Sequence, residues 1–107
     1  MIAEDPFLWK DKASGRYRML VEDGRGTLTG GVKFGALLES ADGKDWTPED
    51  PVLGYDHTLR YADGTMIPAE RRERPQLLLN GDGIPTHLYT GVLYQGRTWN
   101  AVQAIGE

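Results

Sequence analysis

EDPFLWKDKASGRYRML, Glu4 to Leu20, has an echo 69 residues further on in ERPQLLLNGDGIPTHLY, Glu73 to Tyr89. In both, a glutamate stands two places ahead of a proline, and the proline opens an apolar run. In both, a short turn closes on a glycine, Gly15 or Gly83, and a longer run begins at Tyr17 or Thr86. Each copy therefore reads as two strands joined by a turn. Tyr17, Met19 and Val21 alternate with Arg18, Leu20 and Glu22, the period-two pattern of a strand with two unlike faces.

The rest of the chain continues the pattern. FGALLES (Phe34 to Ser40) reads as a third strand, and SADGKDW turns at Asp42-Gly43. HTLRYADGTMIP gives two short strands around Asp63-Gly64, a favoured hairpin turn. PQLLLN, THLYTGVLY and TWNAVQAI give three more. No window of eleven residues keeps apolar positions at helical spacing without a glycine or proline inside it. The expectation is an all-β domain, an antiparallel meander of seven to eight strands. Residues 1–69 have room for a four-stranded, blade-like unit, and residues 70–107 for an incomplete one of three strands, as in a propeller. Open edges and bare apolar faces on such units call for cover, so a homo-oligomer is expected.

Composition narrows the function. With 39% hydrophobic and 26% charged residues, the 107-residue chain has the make-up of a globular domain. A net charge of -4 leaves no basic footprint for nucleic acid. No apolar run is long enough to cross a bilayer, and MIAEDPFLWK lacks the basic start and apolar core of a secretory signal, so a cytoplasmic protein is expected. The absence of cysteine removes disulfides, thiolate metal sites and a thiol nucleophile together. His57 and His87 do not form a zinc pattern, and neither a metal nor another cofactor is expected. DGRGTLTGG (Asp23 to Gly31) lacks the lysine ending of a phosphate loop and opens no helix.

Three motifs then occur in a telling order. AEDPFLWKDKASGRYRML resembles the blade-opening segment of five-bladed propeller glycoside hydrolases of the family 43, 32 and 68 type. SADGKDW resembles a turn between outer strands of those blades, and ERPQLL is similar to the segment that opens their next blade. The resemblance implies a carbohydrate-active or carbohydrate-binding protein. It makes Glu73 the general acid and Asp5 the aspartate that tunes it. Glycosidic cleavage needs one carboxyl kept protonated beside one kept ionised, and a nearby negative charge raises an acid's pKa. Trp9 would stack on a sugar ring, and Arg72, Arg74 and His87 would contact substrate. The pattern departs from the family in one respect: the third carboxylate, base or nucleophile, comes from an earlier blade, and only Met1 to Ala3 precede Glu4 here. Weak or absent activity of the isolated chain is the expectation.

Plainer readings stand beside each assignment. Asp5 ahead of Pro6 suits a turn, and Glu73 sits in the run Glu70 to Arg74, which reads as a solvated charged loop. Trp9, Trp46 and Trp99 suit packing positions, and His87 suits a hydrogen-bonded strand position. A non-catalytic module that self-assembles, or binds a glycan or protein, is the alternative function.

Overall fold

The computed structural model describes residues 3–105. Nine strands follow one another: β1 (Ala3–Lys10), β2 (Tyr17–Asp23), β3 (Phe34–Ser40), β4 (Thr47–Tyr55), β5 (Thr58–Arg60), β6 (Met66–Pro68), β7 (Arg71–Leu79), β8 (Pro85–Tyr94) and β9 (Arg97–Ala104). They form three antiparallel sheets without crossovers, in the orders β1-β2-β3-β4, β5-β6 and β7-β8-β9. No helix occurs among the described residues. The protein is all-β, as the alternation requires; the four-stranded sheet ends at Tyr55, and residues 58–68 form a hairpin of their own.

The repeat is built into the strand pairing. Phe7 faces Leu20, Leu8 faces Met19 and Trp9 faces Arg18 on the first sheet. On the third, Gln76 faces Tyr89, Leu77 faces Leu88 and Leu78 faces His87. Each pair of the second set lies 69 residues beyond its counterpart. Because side chains alternate across a strand, equal register means equal faces.

One face of the first sheet packs on the third. Trp9, Leu20 and Tyr55 are buried against Leu88, with Phe7, Leu37, Leu77 and Leu79 around them. The other face of the first sheet holds Val21, Ala36 and Leu38, covered by Met19, Leu28, Trp46 and Val52. The β5-β6 hairpin closes the third sheet through Leu59 and Ala69 on Val92, with Ile67, Trp99 and Ala101 alongside. Leu28 reaches its cover position because Asp23, fully buried at the end of β2, organises the loop that carries it. Asp23 Oδ2 accepts the N–H groups of Leu28 and Thr29 at 2.9 and 2.8 Å and the Thr29 hydroxyl at 2.9 Å.

Two differences from the sequence pattern have physical causes. β4 is a strand the alternation did not mark, because Pro48 and Pro51 interrupt it. It lies on the edge of its sheet and pairs irregularly with β3, the setting in which a strand tolerates proline. The charged run is the second. Arg71 to Arg74 belongs to β7 rather than to a loop, with Arg72 facing inward and Arg71 exposed.

Candidate functional site

Pro6 and Pro75 each follow a residue held at positive φ, Asp5 at 50° and Arg74 at 55°. Non-glycine residues seldom adopt that conformation. At both places the pairing slips, between Glu4 and Phe7 on β1 and between Glu73 and Gln76 on β7. These are matching β-bulges, which take proline's missing N–H out of the ladder and re-aim the side chains before it. Since β1 and β7 are neighbours, the two bulges bring Glu4, Asp5 and Glu73 to one end of the seam between the sheets.

A fourth carboxyl waits there. Glu4 pairs with Glu22, Glu22 with Gly35, and Gly35 with Tyr55, a single row across the whole first sheet. Gly35 makes the row possible: a Cβ at that position would collide with the Tyr55 ring. Glu22 is only 1% exposed. Its Oε1 accepts the Arg74 backbone N–H at 3.0 Å, so a side chain of the first sheet holds the bulge of the third. Burial pushes the Glu22 carboxyl above its ordinary pKa, the Arg74 N–H opposes that, and the charges of Asp5, Glu73 and Glu4 add to the rise. Asp5 and Glu73 are thus both close enough to act on one buried acid.

Tyr55 completes the cluster. It is buried, and its hydroxyl has no hydrogen-bond partner. Burial raises its pKa first, then the charges of Glu22, Asp5 and Glu73, while Arg72 opposes. The Arg72 guanidinium lies 5.1 Å from the centre of the Tyr55 ring. Arg72 itself is 2% exposed. It donates to Thr90 Oγ1 and the Asp56 carbonyl at 3.2 Å each, to the Thr58 carbonyl at 3.5 Å and to Gln103 Oε1 at 2.6 Å. Removal from water lowers its pKa. These bonds tie β7 to β9 and to the root of the β5-β6 hairpin, and use four of the five guanidinium N–H groups.

The remaining expected contacts are spread along the strands. Trp9 is buried between the sheets, with Arg18 5.0 Å and Phe7 6.1 Å from its ring centre. Strand geometry sets it roughly 13 Å from Asp5, further than one sugar ring spans. It borders a separate cleft of about 370 Å³ with Leu77, Ile84 and Ile105. His87 lies on β8 opposite Leu78, with Nδ1 3.0 Å from the Thr86 hydroxyl and several residues from Gly91, which faces Glu73. Arg74 is exposed beside Glu73.

Two clefts flank Glu73. One, of about 360 Å³, has Lys33, His57, Glu70, Arg71, Arg72 and Glu73 in its wall. The other, of about 670 Å³, lies over β8 and β9, with Tyr89, Gly91, Trp99 and Asn100 beside Glu73. Among the described residues, no group of three or more histidines or carboxylates is placed to hold a metal ion. No protein family, curated protein or solved structure matches this chain.

Glu22 and Tyr55 are the members of the cluster that sequence reading missed. The repeat held a signal for Glu22: its counterpart 69 residues on is Gly91, an acid in one copy where the other has no side chain. Tyr55 had none, since it closes the proline-broken β4.

Proposed function

We propose that this chain is a glycoside-hydrolase-like, carbohydrate-active module in which Glu73 supplies the proton and Asp5 is its charged neighbour. The observation that supports this reading is the pair of matching bulges, which carry Asp5 and Glu73 from two adjacent strands to one seam, against the buried acid Glu22. Glu22 is enclosed, so its part is to hold the Arg74 bulge and through it the direction of Glu73. The chain binds glycan and turns it over slowly.

A panel of oligosaccharides and aryl glycosides, screened for binding and for slow hydrolysis, tests this. The expected result is binding in the wild type and in Glu73→Gln, with turnover lost in Glu73→Gln. A chain that binds no glycan and shows no Glu73-dependent turnover refutes it.

A second reading, assembly of copies, rests on the repeat. Phe7, Trp9 and Leu20 pack against the third sheet, and their counterparts Gln76, Leu78 and Tyr89 face outward. Leu78 is 49% exposed, and Val102 beside Tyr89 is 55% exposed. In reverse, Leu77 and Leu88 face the first sheet, while their counterparts Leu8 and Met19 lie on its outer side, Leu8 52% exposed. A second copy would dock its Leu8 face on the Leu78–Tyr89 face of the first, head to tail, as the two sheets meet within one chain. Light scattering reads the outcome: Leu8→Glu and Tyr89→Glu are each monomeric alone, and their mixture forms a heterodimer and nothing larger. A wild-type monomer ends this reading.

A further inference from the structure

The smaller cleft beside Glu73 has a charge that the chain as a whole does not. The protein carries a net charge of -4, yet this cleft is lined by three cations, Lys33, Arg71 and Arg72, and two acids, Glu70 and Glu73. The cations are not equally spent. Arg72 is consumed by its four internal acceptors. The ion pairs among the described residues are Arg16–Glu39, Arg18–Glu49 and Arg60–Asp56, so neither Lys33 nor Arg71 is in one. Of the acids, Glu70 Oε1 already accepts the Gln95 N–H at 3.1 Å.

The backbone at Lys33 is held in place. Lys33 is held at a φ of 61°, its N–H bonded to the Asp23 carbonyl at 2.9 Å. Its own carbonyl lies 3.0 Å from His57 Nε2. A carbonyl can only accept, so Nε2 donates to it, and Nδ1 is the ring nitrogen left over. The ring is steadied by Phe34, edge-on at 5.1 Å. The same cleft therefore offers two cations outside any ion pair, a carboxyl and an imidazole nitrogen, within a volume of about 360 Å³ that falls in the range of small-molecule sites.

We propose that this cleft binds an anionic glycan, a sugar bearing a carboxylate or sulfate group held by Arg71 and Lys33, with His57 taking a sugar hydroxyl. The inference rests on the glycan reading above and names its substrate class. A planar guanidinium pairs two oxygens of a carboxylate or sulfate at once, while Lys33 serves as a point charge. A neutral sugar would leave both cations unanswered.

Affinity electrophoresis of the full chain through gels containing polygalacturonate, a sulfated galactan or neutral arabinan tests this. Retention is expected in a charged gel, weakening with salt, and in Lys33→Gln/Arg71→Gln the affinity falls by about tenfold or more. The charge-keeping Lys33→Arg/Arg71→Lys variant should retain most of it, which separates lost charge from lost fold. Retention in polygalacturonate alone identifies the carboxylate, and in the galactan alone the sulfate. Arabinan bound as well as either charged polymer, no retention at all, or retention indifferent to the Gln pair would each overturn the proposal. The two ideas fail separately. Charged-glycan retention without Glu73-dependent turnover sinks the acid role and keeps the cleft; Glu73-dependent turnover of neutral glycan alone does the reverse.

Discussion

The first and third sheets begin alike and end differently. Both open on a glutamate, a positive-φ residue and a proline in a bulge, and both pair their first two strands in the same register. Opposite the first glutamate stands Glu22; opposite the second stands Gly91. Glu22 is enclosed by the neighbouring sheet and bonded to its bulge. Gly91 opens onto the broad cleft over β8 and β9. One backbone device thus serves as a clamp where a second sheet covers it and as part of an open wall where none does. A repeated fold keeps its hydrogen-bond pattern, and single side chains decide which copy is enclosed and which is open.

The sharpest way to break this comparison is at the charge that has no partner acid. Arg72→Ala leaves two carbonyls, a hydroxyl and an amide oxygen without their donor, so chemical unfolding in urea should show a loss of about 3 kcal/mol or more. A loss under about 1 kcal/mol would mean that Arg72 is replaceable by water. Next comes the clamp itself. Glu22→Ala removes the acceptor of the Arg74 N–H and opens a cavity, at a cost of about 2 kcal/mol. Gly91→Ala at the matching position should cost well under 1 kcal/mol, because the nearest atom to its new Cβ is the Glu73 carbonyl at 3.7 Å, an ordinary contact. Equal effects at the two positions would erase the distinction between clamp and open wall.

Acidity gives a third test. Glu22 titrates near 4.5 without its environment and higher in the folded protein. Between those values the folded chain holds a proton that the unfolded chain has released. The stabilisation is therefore full below about pH 4.5 and is lost as pH rises through the folded value. Glu22→Gln keeps an oxygen for the Arg74 N–H and removes the charge. Melting curves across this pH range should converge with wild type at the acid end and run higher for the variant toward neutral pH. A variant less stable at neutral pH would show that the charge is needed there. The smallest effect concerns strain: Arg74→Gly at a φ of 55° should leave stability unchanged or raise it by at most about 1 kcal/mol, measured by the same melts.

Much of this architecture was legible in the chain. The alternation in Arg16 to Glu22, the Asp-Gly turns and the spacing between the two proline-led copies were enough for an all-β antiparallel fold, because strand period and turn chemistry are local. It was the family resemblance, not this local pattern, that singled out Asp5 and Glu73. The sequence reading passed over β4, whose prolines hide it from any local pattern, and it took Arg71 to Arg74 for a loop. The inward turn of Arg72 depends on Thr90, Gln103 and two carbonyls from distant parts of the chain.

What the sequence determined by itself, then, is the kind of strand, the turns between them and the duplication, since each is set by neighbours within a few residues. Only the tertiary structure decided that Glu22 is enclosed while Gly91 is open, that Tyr55 joins the acids, and that Lys33 and His57 stand across a cleft from Arg71. Burial and charge at those positions come from the meeting of separate sheets and loops, and a residue's dielectric surroundings cannot be read from its neighbours in the chain.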